Sequence, residues 1–123
     1  MGAAKDAPKR RIPCKTPANA NSCYWTRGRL RESNGTPSYR LWKIGTHRLL
    51  GIYSGPSIDR FGLDSEGPEF PPNVDRAFGQ SNMSNPYDIT IYADFEVCPL
   101  EQETPGAMQA ACIESAKNIV VDK

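Results

Sequence analysis

Arg27, Arg29, Arg31 and Arg40 stand with Trp25 and Trp42 in one short stretch of the chain, and these are the side chains best suited to hold something. Guanidinium forks grip carboxylates, phosphates and sulfates, while indole faces stack on sugars, bases or other guanidinium groups. The mixture is what a site for an acidic protein surface or a glycan needs. Nucleic acid is not the expected partner, because a domain that binds it is strongly basic and this chain carries a net charge of only +1.

His47, in Gly45-Thr46-His47-Arg48, is the single histidine. An imidazole oriented by a carboxylate could act as a general base. No Ser/His/Asp spacing, G-x-S-x-G turn or reactive-cysteine pattern accompanies it, so no reaction is specified. It joins the arginines and tryptophans as a candidate binding residue. Asp88, Asp94 and Glu96 invite comparison with a glycosidase carboxylate pair or with calcium ligands. Alternating acids are the usual dress of an exposed strand, however, and the acidic stretch from Asp59 to Asp75 lacks EF-hand spacing. The expectation is no metal, no cofactor and no catalytic pair.

Four cysteines in 123 residues fit two disulfides and an exported protein, with free intracellular thiols as the alternative. Cys14-x8-Cys23 and Cys98-x13-Cys112 lack the C-x2-C knuckles of structural zinc sites. The spacing favours bridges Cys14–Cys23 and Cys98–Cys112. Asn34-Gly35-Thr36 and Asn82-Met83-Ser84 match the glycosylation acceptor pattern, which has meaning only in a secreted eukaryotic protein.

Charge is sorted along the chain. Met1 to Tyr53 holds 11 Lys/Arg against 2 acids, whereas Ser54 to Lys123 holds 4 against 12. Either the halves neutralise each other inside one folded unit, or a basic face is kept for an acidic partner. An ion-pair ladder of Asp88, Asp94 and Glu96 beside the arginines would represent the first case.

The elements that must position these groups read as strands. Asn34-Gly35 predicts a two-residue hairpin turn within Ser22 to Tyr53. Pairing about that turn sets Leu30 opposite Tyr39, Gly28 opposite Leu41 and Tyr24 opposite Gly45 on a core face. The other face then carries Trp25 opposite Ile44, Arg27 opposite Trp42, Arg29 opposite Arg40 and Arg31 opposite Ser38, since side chains alternate across a strand. Tyr87 to Cys98 alternates between apolar and acidic or polar residues and reads as a half-buried strand.

Pro105-Gly106 folds the chain back, placing Cys98 nearly opposite Cys112 and predicting a last strand from Met108 to Val121. A helix over residues 107–121, capped by Thr104 with Pro105 in its first turn, competes with that strand. Ser54 to Pro86, rich in Gly and Pro, reads as an irregular but ordered excursion. Residues 1–13 read as a disordered or tag-like N-terminal tail following a removed signal peptide, and 14–123 as a single disulfide-stabilised β domain. No apolar run is long enough to span a bilayer.

The expected architecture is all-β, a small Greek-key barrel or sandwich of five to six antiparallel strands with a short C-terminal helix as an option. The expected role is an exported, non-enzymatic binding module that meets an acidic protein surface or glycan through Trp25, Arg27, Arg29, Arg40, Trp42 and His47. A small hydrolase or lyase using His47 with a carboxylate, or an inhibitor or accessory protein presenting the Ser54 to Pro86 loop, are the alternatives.

Overall fold

The computed structural model describes residues 13–33, 38–55, 68–79 and 89–122. Five strands are formed: β1 (Tyr24–Glu32), β2 (Tyr39–Lys43), β3 (Leu49–Ile52), β4 (Thr90–Pro99) and β5 (Gln109–Asp122). They close in the order β1-β2-β3-β5-β4. All neighbours run antiparallel except β3 and β5, which are parallel. The molecule is therefore the small β barrel that the alternating patterns predict, with one parallel seam. A parallel pair needs a long crossover. Here the crossover carries the helix α1 (Pro72–Gly79) and β4.

Period-two alternation fills the inside of the barrel. Leu30 and Leu41, Leu50 and Ile52, Ile91, Ala93, Phe95 and Val97, and Ala111 and Ile113 all point inward and are buried. Gly28 occupies an inward position because no side chain fits there. A Cβ would lie 2.9 Å from Leu41 Cδ1 and 3.2 Å from Phe95 Cδ2.

The helix joins this core through Val74 and Ala77. Phe70 and Phe78 meet Tyr39 edge-on, with ring centroids 5.0 and 5.4 Å away, a geometry that suits aromatic quadrupoles. Asn73 Nδ2 donates to the Ala116 carbonyl and ties α1 to β5. Pro72 at the start and Gly79 at the end are ordinary helix punctuation. The sequence reading expected an irregular excursion here and placed its optional helix at the C-terminus. Residues 109–122 form the last strand, close to the expected Met108 to Val121 and suited by the β-branched run Ile119-Val120-Val121, and not the competing helix.

β5 is fourteen residues long and does not keep one register with β4. The pairing slips between Tyr92 and Asp94, and again between Glu96 and Val97, leaving extra residues on β5 around Asn118 and at Glu114. Asn118 has φ of 56°, the left-handed conformation that asparagine tolerates better than most residues. These bulges bend the strand and keep Val121, Ala116, Ile113 and Ala111 facing the core on both sides of each slip.

A second buried cluster lies apart from the barrel interior. It consists of Cys14, Cys98 and Cys112, with Cys23 and Leu100 packed against it. The bridges are Cys14–Cys112 and Cys23–Cys98, which corrects the pairing that spacing suggested. Cys98 and Cys112 are indeed directly opposite, as the fold-back required, but each is bonded to the N-terminal segment. That segment crosses β4 and β5 and offers one cysteine to each strand. Asn19 shapes it by accepting from Thr16 N–H and donating to the Cys14 carbonyl.

Candidate functional site

The outward positions of β1 and β2 form the basic face. β1 presents Trp25, Arg27, Arg29 and Arg31, and β2 presents Arg40 and Trp42, because the inward positions are taken by core residues. The register differs from the symmetric hairpin by two residues. Leu30 pairs with Leu41, Arg29 with Trp42 and Arg31 with Arg40. A shift of two preserves the faces and changes only the partners. The like-charged pair is thus Arg31 with Arg40, and the residue opposite Trp42 is Arg29. Asn34-Gly35, the basis for the symmetric pairing, lies outside the described residues.

The charge sorting is partly resolved across the barrel seams. Lys15 Nζ lies 2.8 Å from Glu96, Arg27 pairs with Asp94 at 3.5 Å, and Arg48 pairs with Glu103. Each ion pair joins a base from the first half of the chain to an acid from the second. All are at least partly exposed, and exposed pairs of this type contribute little to stability because solvent and salt screen them. The Asp94 carboxyl is held below its ordinary range by the hydrogen bond from Asn118 Nδ2 at 2.8 Å and by the Arg27 guanidinium. Lys15 is raised by its hydrogen bond to Glu96. Of the expected ladder, then, Asp94 meets Arg27, Glu96 turns to Lys15, and Asp88 lies outside the described residues.

Arg29, Arg31 and Arg40 line a pocket of about 230 Å³ with Ser33, Trp42 and Leu49. Among the described residues, neither Arg29 nor Arg31 has a carboxylate partner. The Arg29 guanidinium stacks 5.1 Å from the Trp42 ring centroid. Its Nε is out of reach of solvent and meets no acceptor among the described residues. Trp42 is fixed by its Nε1–H, which donates to the Thr46 carbonyl at 2.8 Å. The result is a half-walled cup with cations on one side and indole and leucine on the other. It can hold an anionic group.

Three candidates lie outside this cup. Arg27 is engaged by Asp94 and by the Asn118 carbonyl. Trp25 is 46% exposed on the same strand, with Lys117 Nζ 4.5 Å above its ring. His47 is exposed in the β2–β3 turn and makes no hydrogen bond or ion pair among the described residues. Ser33 and Leu49, which complete the pocket, were not singled out from sequence. Both follow from the register, since Leu49 is the neighbour of Trp42 on β3. No family model, curated protein or solved structure matches this chain.

Proposed function

We propose that this protein is an exported, non-enzymatic binding module that holds an acidic partner, a protein surface or a glycan, in the pocket between Arg29, Arg31, Arg40 and Trp42. The observation that carries this reading is the Arg31–Arg40 pairing. Like charges directly opposite on neighbouring strands oppose sheet formation. An oxyanion held by Arg31, which has no carboxylate partner among the described residues, gains charge-assisted hydrogen bonds and lessens that repulsion. Among the described residues, the solvent-excluded Arg29 Nε at the same place also meets no acceptor.

Export rests on the two disulfides, which persist in oxidising compartments. The architecture offers a parallel as well. Five-stranded Greek-key barrels of the oligonucleotide- and oligosaccharide-binding kind take ligand on the outer face of their second and third strands. The pocket here lies on the outer face of β1 and β2 with Leu49 of β3. That is an analogy of fold, which by itself assigns no ligand.

The reading is tested with immobilised acidic peptides and acidic oligosaccharides at physiological salt. The wild-type protein is expected to bind at least one of them. A folded Arg29→Gln/Arg40→Gln/Trp42→Ala variant is expected to bind at least tenfold more weakly. A triple variant that loses stability but keeps every interaction overturns the proposal.

A further inference from the structure

We infer that the acidic group this pocket takes is a hexuronate, a single carboxylate-bearing pyranose within a sparsely charged glycan; this rests on the binding reading above. Three features of the cup select that chemistry. The first is size. At about 230 Å³ it falls below the roughly 300–1,000 Å³ of pockets that enclose drug-sized ligands, and it has room for one ring.

The second is its two-sided lining. Arg31 and Arg40 stand side by side as forks for a carboxylate, while Trp42 and Leu49 supply an apolar wall. A pyranose has the matching halves, a carboxylate at one end and C–H groups across one face. Its hydroxyls have Ser33 to meet. An Asp or Glu side chain satisfies the forks but leaves the indole and leucine wall empty.

The third is the surrounding charge. By register, the outward neighbours around the barrel include Asp94, Glu96 and Asp122, the last on the same lateral row as Thr90, Arg31 and Arg40. Asp94 and Glu96 are met by Arg27 and Lys15, which leaves Asp122, on the pocket's own row, as the acid that limits the cationic zone on that side. A polymer with a negative charge at every unit, such as a nucleic acid or a densely sulfated chain, that ran along this row would bring its next charge to Asp122. A lone carboxylate on an otherwise uncharged sugar does not.

Tryptophan fluorescence titrations test the inference on the full chain carrying Trp25→Phe, which leaves Trp42 as the only reporter. The probes are short oligomers of galacturonate and of mannuronate, neutral oligogalactose, a triglutamate peptide and an oligothymidylate. An oligouronate is expected to give a saturable change, with the neutral sugar, peptide and oligonucleotide each at least tenfold weaker. Arg31→Gln and Trp42→Phe should each weaken uronate binding at least tenfold without lowering the thermal midpoint, Arg31→Gln being followed by fluorescence and Trp42→Phe by calorimetry. Arg48→Gln, outside the pocket, should not. Triglutamate binding as tightly as uronate through Arg31 overturns the sugar assignment and leaves the acid-binding reading standing. An oligothymidylate that outcompetes both overturns the sugar assignment and the protein-or-glycan reading together. No binding in any arm overturns both.

Discussion

Cys98 and Cys112 face each other across β4 and β5, and neither is bonded to the other. Their partners, Cys14 and Cys23, come from a segment that would otherwise contribute only a short 3₁₀ turn and a few side-chain bonds. The bridges close loops of 98 and 75 residues in sequence separation. In the chain-entropy model, loops of this size stabilise by about 4–5 kcal/mol each, and removal of a native disulfide typically costs about 2–5 kcal/mol. Replacing Cys14 and Cys112 together by Ala, or Cys23 and Cys98 together, should lower stability by that amount in urea denaturation. Peptide mapping under non-reducing conditions should return Cys14–Cys112 and Cys23–Cys98 and no Cys98–Cys112 peptide.

Gly28→Ala should destabilise the barrel by about 1–3 kcal/mol, the usual cost of an added methyl group in a filled core. The methyl would be driven against Leu41 and Phe95. Leu41→Val in the Gly28→Ala background should recover part of the loss. A denaturant series on the single and double variants measures both, and additive losses would show that the two sites are not in contact.

Arg31→Gln should raise stability in the absence of ligand while weakening binding. The like-charge pair with Arg40 costs a few tenths of a kcal/mol to about 1 kcal/mol, and the substitution removes it. The gain should shrink between low and high salt, because the repulsion is screened over about 8–10 Å at ordinary ionic strength. Thermal melts at two salt concentrations read out the difference.

Asp94 should contribute to the acid limb of stability. Its carboxyl is lowered first by the Asn118 amide and then by Arg27. A group whose folded value lies below its unfolded value stabilises fully above the unfolded value, about 4 for Asp. That contribution fades as the pH falls through the lower folded value. The drop in denaturant midpoint from pH 5 to pH 2 should be shallower for Asp94→Asn than for the wild type, and Asn118→Ala should shift it the same way.

The strand faces were legible because alternation is local. Ile89, Ile91, Ala93, Phe95 and Val97 are all buried, and the outward set of β1 and β2 is the set read from sequence. Partners were less legible, because register depends on how many residues the turn uses. Asn34-Gly35 implied two, yet Ser33 N–H donates to the Ser38 carbonyl, which moves every pair by two positions. The disulfides were misread for a related reason: nearness in sequence or in register says which sulfurs can approach, but a third segment laid across both strands takes them instead. Val74, Ala77 and Phe78 gave α1 a helical spacing between Pro72 and Gly79, and the surrounding Gly and Pro residues obscured it. The pocket could not be drawn until Arg31 and Leu49 had neighbours.

Traced along covalent bonds alone, the protein is a pair of nested rings, the inner closed by Cys23–Cys98 and the outer by Cys14–Cys112. Every strand except the far part of β5 belongs to the inner ring or spans the link between the two. A single backbone cut between Cys23 and Cys98 therefore leaves one molecule. Its pieces remain neighbours at high effective concentration, so re-forming the barrel after such a cut is a unimolecular event. New chain ends can be opened inside the inner ring without separating the arginines of β1 from the acids of β4.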